Sequence, residues 1–227
     1  MIKKDTICII PARSGSKGIK NKNIQKFGSK PLLLHSCLFA KKLKFLKKII
    51  ISTDSNKYLN VCKKYGFNNS QLRPKRLSGD NIPTSDVVKY ELSRLSTGIK
   101  KKIRYVLILQ PTCPFRQVKD FIYAHQKLKL GFKSVITVNK VTEHPHRMML
   151  KSKKNELKNY SNKVNFIPRQ KLENVYLRSG SMYFHNISLF KNKKFNLGNK
   201  VYGIEVYGKN KVNIDTPKDY KLALSYL

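Results

Sequence analysis

The chain has 227 residues, 48 lysines and arginines against 12 aspartates and glutamates, and four cysteines. That length suits one α/β domain with an appendage, the scattered Cys8, Cys37, Cys62 and Cys113 argue for buried thiols rather than a disulfide framework or zinc site, and no apolar stretch reaches the ~20 residues of a membrane span. A net charge of +36 invites a nucleic-acid reading, yet the lysines are spread from Lys3 to Lys221 without a basic arm, zinc-finger spacing or RNA-binding aromatic motif, so the charge reads as compositional bias and the protein as soluble and cytoplasmic.

Thr6 to Ile10 reads as a short buried strand that breaks into a loop, Pro11 to Asn23, dense in glycine, serine and cations. Gly15 and Gly18 let backbone N–H groups approach an anion, and Arg13, Lys17 and Lys22 supply charge. The spacing matches neither the P-loop nor the three-glycine dinucleotide fingerprint. Two readings stand: a third kind of polyphosphate site, or a solvated basic turn.

Pro31 to Leu46 follows as an amphipathic helix with Pro31 in its first turn, then KKIIISTD as a buried strand ending at Asp54, then a helix through Tyr65 stopped by Gly66. After LRPKRLSGD, a hydroxyl of Thr84 or Ser85 is expected to cap a helix carrying Asp86 in its first turn. RYVLILQP is the third strand, DFIYAHQKLKL a helix and SVITV the fourth strand. This alternation predicts an α/β fold with a mostly parallel sheet covered on both faces. Ligands in such sheets gather at the strands' carboxyl ends, here Arg13 onward, Asp54, and Gln110 onward. From about Lys140 to about Asn174 the rhythm breaks, which predicts an excursion able to pack on a second subunit. YLRSGSMYF and VYGIEVYG then read as strands, KVNID as a polar strand end, and TPKDYKLALSYL as a helix begun by a Thr-Pro cap.

Five segments in series, PARSGSKGIKNKNI, LRP at 72–74, LILQPTCPFR, RSGSMYF and NIDTPKD, resemble the acylneuraminate cytidylyltransferases, the CMP-sialic acid synthetases and relatives that activate legionaminic, pseudaminic and 3-deoxy-octulosonic acids. The resemblance spans nearly the whole chain. It implies a three-layer α/β/α fold of the nucleotide-diphospho-sugar transferase type, CTP and a 2-keto sugar acid as substrates, and attack of the sugar's anomeric hydroxyl on the α-phosphate with release of pyrophosphate. By the same resemblance Ala12, Arg13, Ser16, Lys17, Lys22 and Asn23 hold the nucleotide, with Arg13 and Lys22 acting on the reacting phosphate. Arg73, Thr84 and Ser85 meet the cytosine, and Gln110, Ser179 and Tyr183 border the sugar. His144-Pro145-His146-Arg147 and Pro168-Arg169-Gln170 match elements whose cations reach the other subunit of a homodimer, though both are also ordinary solvated loops. Asp215 is either the ligand of a Mg²⁺ ion or a helix cap before Thr216-Pro217.

Two departures stand out. Asn213-Ile214-Asp215 replaces a D-x-D, which removes one carboxylate, and Ser179-Gly180-Ser181-Met182-Tyr183 replaces NGA-x-Y beside the sugar. None of the five histidines falls in a triad arrangement. Two other readings remain: a nucleotidyltransferase of the same fold acting on octulosonate, a phosphonate or a polyol phosphate, and a basic RNA-binding protein.

Overall fold

A computed structural model describes residues 3–68, 72–161 and 168–227. In chain order its elements are β1 (Thr6–Pro11), β2 (Lys26–Phe27), β3 (Lys30–Pro31), α1 (Leu32–Lys41), β4 (Leu46–Ser52), α2 (Asn56–Lys63), α3 (Thr84–Ser93), α4 (Thr97–Lys102), β5 (Tyr105–Ile108), α5 (Val118–Lys129), β6 (Ser134–Lys140), β7 (Met149–Lys151), β8 (Leu157–Asn159), β9 (Tyr176–Asn186), β10 (Val201–Glu205) and α6 (Pro217–Leu224). Six strands form the central sheet in the order β10-β6-β9-β5-β1-β4. β1 runs parallel to β4 and β5, and β10 parallel to β6, while β9 is antiparallel to both its neighbours.

The two-residue period of a strand sends alternate side chains to opposite faces, and β1 and β5 divide the core that way. Cys8, Ile10, Tyr105 and Leu107 join α1, α2 and α5 through Leu33, Leu34, Cys37, Tyr58, Phe121 and Leu128. Ile7, Ile9, Val106 and Ile108 face α3 and its neighbourhood through Val88, Leu95, Ile103 and Phe190. Continuous apolar runs in β1 and β5 are therefore the mark of strands covered on both sides. All four cysteines are buried and free, as expected. Among the described residues no helix is long and apolar enough to cross a membrane.

Several boundaries differ from the sequence expectation. α1 ends at Lys41 rather than Leu46, because Leu43, Phe45 and Leu46 are buried in the turn and the start of β4; one apolar run spans helix, turn and strand. Pro31 precedes the helix and closes the small β2–β3 hairpin. α3 starts at Thr84 behind Pro83 without a side-chain cap, so neither Thr84 nor Ser85 is spent on capping. KVNID is no strand: a 3-10 turn at Gly208–Lys211 leads into a segment tied by Ile214 N–H to Thr112 O at 2.8 Å. The Thr216 cap on α6 is present as a reciprocal capping box with Asp219, so Asp215 is not the cap.

After β6 the described residues leave the central sheet and build an exposed hairpin of β7 and β8. Its apolar side chains stay open to solvent, with Met149 51% and Leu157 59% exposed.

Arg116 knits these parts together. Its guanidinium donates to Gln110 O at 2.6 Å, Ser181 O at 2.9 Å and Ser36 Oγ at 2.9 Å, joining the loop after β5 to β9 and α1. Burial pulls its pKa down to about 10, so it remains charged at neutral pH. Arg116→Met keeps the aliphatic bulk but removes all three hydrogen bonds, leaving Gln110 O only its longer bonds from Cys113 N–H and Ser36 Oγ, and it is expected to cost about 2 kcal/mol, seen as a lower urea midpoint at unchanged slope.

Candidate active site

The carboxyl ends of β1, β4 and β5 open on a cleft of ≈ 460 Å³ walled by the loop after β1, Arg73, Asp80, Thr84, Gln110 and Asp215. Asp54, at the end of β4, shapes the loop by accepting from the Ser14 N–H and hydroxyl, both at 2.9 Å. Asn23 steadies it from the far side, donating to Arg13 O at 3.0 Å. Arg13 and Lys17 both reach Asp80, at 2.6 and 2.7 Å. The bonds from Lys17 and Arg13 hold the Asp80 carboxyl below the usual carboxylate range.

On the opposite wall Lys22 is buried and donates to Ile214 O at 2.7 Å and to Asp215 Oδ1 at 2.9 Å. Asn213 Nδ2 donates to the other Asp215 oxygen at 2.6 Å. The loop lies so close here that a Cβ on Gly18 would stand 2.3 Å from the Asp215 carbonyl oxygen, which requires glycine at that position. Arg73 is buried beneath the cleft, bonded through Nε to Ser78 Oγ at 2.9 Å. Burial lowers its pKa, and the charges of Asp54 and Glu91 oppose that shift.

A second cavity of ≈ 440 Å³ adjoins the cleft and shares Thr84 and Gln110 with it. Ser85, Arg178, Tyr183, His185, Phe190 and Phe195 line the rest, with Ile108 and Leu197 among the aliphatic walls.

Most residues singled out from the sequence converge here: Arg13, Ser16, Lys17, Lys22, Asn23, Arg73, Thr84, Gln110 and Asp215 line the cleft, and Tyr183 lines the second cavity. Others fall elsewhere. Ala12 is fully buried and its amide is bonded to Ser52 O at 2.8 Å, so it packs the loop base and has no donor for a ligand. Ser85 lines the second cavity rather than the cleft. Ser179 is spent within the sheet, its hydroxyl donating to Thr137 Oγ1 at 2.6 Å. Arg147 is exposed at the base of the hairpin and lines neither cavity. Arg169 lies in a 3-10 turn, Arg169–Lys171, and its side chain falls outside the described residues.

Asp80, Arg116, Arg178 and His185 were not singled out. A carboxylate among the basic residues of LRPKRLSGD is a visible cue for Asp80, whereas the contact that holds His185 comes from Ser134, on a different strand.

Among the described residues no three His, Cys, Asp or Glu side chains cluster as a metal site. The cleft holds two carboxylates, Asp80, which is paired with Arg13 and Lys17, and Asp215, with 60% of its side chain exposed; Asp215 is the one a metal could reach without breaking the Arg13 and Lys17 pairs. That suits a hard cation held largely by a ligand's own oxygens and water, as Mg²⁺ commonly is.

The comparisons with known proteins agree with this architecture. CMP-N,N'-diacetyllegionaminic acid synthase of Legionella pneumophila is 33% identical over 141 residues, covering 61% of this chain and 60% of that protein. N-acylneuraminate cytidylyltransferase of Streptococcus agalactiae is 26% identical over 97% of this chain, which spans 53% of that relative. Post-translational flagellin modification protein B of Campylobacter coli is 30% identical over 91% of this chain and 83% of its own length. The chain thus spans only three fifths or less of the first two of these relatives. In fold it matches a CMP:2-keto-3-deoxy-manno-octonic acid synthetase, solved with CTP, at a TM-score of 0.72 and 12% identity over 98% of both chains. The cytidylyltransferase family model matches residues 7–225, nearly the whole chain from β1 to α6, and on that match the chain belongs to the cytidylyltransferase family.

Proposed function

We propose that this protein transfers CMP from CTP to the anomeric hydroxyl of a 2-keto sugar acid of the nonulosonic type, releasing pyrophosphate, in the cytoplasm. The observation that carries the reading is the pairing of two cavities across one shared wall: a cation-lined cleft suited to a triphosphate, and a mostly apolar cavity suited to a sugar, meeting at Gln110 and Thr84. The names of the relatives supply the acceptor class.

Transfer of this kind is largely positioning plus neutralisation of charge on the phosphate oxygens. Arg13 and Lys17 bind the triphosphate by exchanging Asp80 for phosphate oxygens. Lys22, fixed against Ile214 O, presents its ammonium at the reacting phosphate while keeping Asp215 in place. Arg73 supports the nucleotide end of the cleft. The Gln110 amide orients the attacking hydroxyl, because its backbone is pinned by Arg116. Arg178 is the guanidinium at the acceptor cavity and meets the sugar's carboxylate. Asp215, with Asn213 beside it, would hold a Mg²⁺ ion, which when bound neutralises charge on the phosphates and on the departing pyrophosphate.

The site is completed by a second copy of the chain. The exposed hairpin places apolar side chains where a partner can cover them, and Arg147 lines neither the cleft nor the second cavity of its own chain. In this reading the chain is one domain and residues 140–175 are its dimerisation excursion, with Arg147 and Arg169 serving the neighbouring site.

Arg13→Ala is expected to lower CTP-dependent pyrophosphate release by at least ~10²-fold with the fold intact by circular dichroism; near-parental turnover would remove the triphosphate assignment. Asp215→Asn should abolish the response of turnover to Mg²⁺, and Asn213→Asp should lower the Mg²⁺ concentration required. A parental Mg²⁺ titration in Asp215→Asn would place the metal elsewhere. Mixing inactive Arg13→Ala chains with inactive Arg147→Ala chains should restore part of the activity, because one site of each heterodimer receives both arginines. A monomer by light scattering, or no recovery once subunit exchange is demonstrated, would rule out the shared site.

A further inference from the structure

His185 lies on β9 two residues beyond Tyr183, is 2% exposed, and lines the second cavity. Its hydrogen bonding fixes which ring nitrogen carries the proton. The Ser134 hydroxyl donates to Leu197 O at 2.6 Å, so its single hydrogen is used. The 2.8 Å contact between Ser134 Oγ and His185 Nδ1 must then be a donation from Nδ1–H, which leaves the lone pair on Nε2 as the ring's remaining polar function. Burial lowers the ring's pKa to about 4, so the imidazole is neutral at physiological pH and Nε2 is an acceptor that cannot become a donor.

Around this acceptor the cavity is apolar. Phe195 stands edge-on to the imidazole at 5.2 Å between centroids, and Phe190 stacks on Phe195 at 4.8 Å. A polyhydroxylated substituent pressed there would lose water partners that the walls cannot replace. An acylamino group supplies one N–H donor together with an alkyl end, which is the combination this wall accommodates.

We propose that His185 is a specificity-determining residue of the acceptor cavity, its Nε2 accepting a hydrogen bond from the amide N–H of an acylamino substituent, so that the enzyme selects acylamino sugar acids over those carrying oxygen at that carbon. This inference rests on the proposed CMP transfer.

The test compares an acetamido nonulosonic acid with analogues in which each acetamido group in turn is replaced by an O-acetyl ester, which keeps the shape and deletes the donor. With the unmodified protein, pyrophosphate release should favour the amide at one position by about five- to tenfold in kcat/KM, the scale of one hydrogen bond between uncharged groups. His185→Phe should bring that ratio close to one by raising KM for the amide acceptor, with KM for CTP unchanged. A loss of structure alone would slow both acceptors equally and preserve the ratio, and that result overturns the proposal. So does the absence of any preference in the unmodified protein.

If His185→Phe does not fold, ¹⁵N NMR of the unmodified protein decides. His185 should carry its proton on Nδ1, and the Nε2 resonance should move on adding the amide acceptor but not the ester. A proton on Nε2 overturns the proposal. Failure of the unmodified protein to release pyrophosphate with CTP and any sugar acid would overturn the proposed function itself, whereas turnover with no dependence on His185 would overturn this inference alone.

Discussion

Both cavities depend on a cation that touches no ligand. The Arg116 guanidinium, drawn out of water, binds two backbone carbonyls and a hydroxyl rather than a carboxylate. Removing a charge from water is costly unless its hydrogen bonds are met, and here they are met only when α1, the loop after β5 and β9 stand in one arrangement. That arrangement puts Gln110 on the wall common to both cavities. It also sets Gly180, at φ +82°, with its Cβ position 3.2 Å from Gln110 Oε1, so a side chain there would press on the same amide. The wall is rigid because the charge behind it has no cheaper alternative.

The cleft's cations are held in readiness in a different way. Asp80 sits between Arg13 and Lys17 as an internal anion where phosphate oxygens are expected to bind. Lys17 is 81% and Asp80 38% exposed, and ion pairs at such solvent-screened sites contribute little to stability. On the proposed function, a triphosphate would take the place of this one carboxylate between the two cations. The pair orders the loop without competing seriously for it. The buried contact of Lys22 with Ile214 O is of another kind, a fixed part of the wall.

Much of this was legible in the sequence, and the reason is local. β1, β4 and β5 announce themselves as apolar runs because parallel strands are covered on both faces, and Arg13, Lys17, Lys22, Asn23 and Gln110 follow strand ends, where such sheets place their chemistry. What escaped is long-range. Nothing near Tyr176–Asn186 states that this strand enters antiparallel between β5 and β6. The tautomer of His185 depends on Ser134 and Leu197, and the tie at Arg116 on Ser36 and Ser181, all distant along the chain. Ser179 turns inward for a related reason: its motif neighbours the second cavity, but strand alternation and the bulge at Gly180 turn its hydroxyl toward Thr137. The α1 boundary failed because burial continued unbroken from helix to strand, so periodicity had no edge to mark.

The insertion of β9 also bears on how the chain assembles. β5 and β6 are made well before the strand that joins them, so the sheet first exists as two separate pieces, β4-β1-β5 on one side and β6 alone on the other. Pairings of such sequence separation form slowly and leave strand edges open meanwhile. Until residues 176–186 emerge from the ribosome, Arg116 lacks the Ser181 carbonyl and the second cavity has no floor. This one strand therefore brings Ser181 O to Arg116 and Tyr183 and His185 to the second cavity together, while Phe190, Phe195 and Leu197 of that cavity, β10 at the sheet edge and Asp215 of the cleft all follow it in chain order.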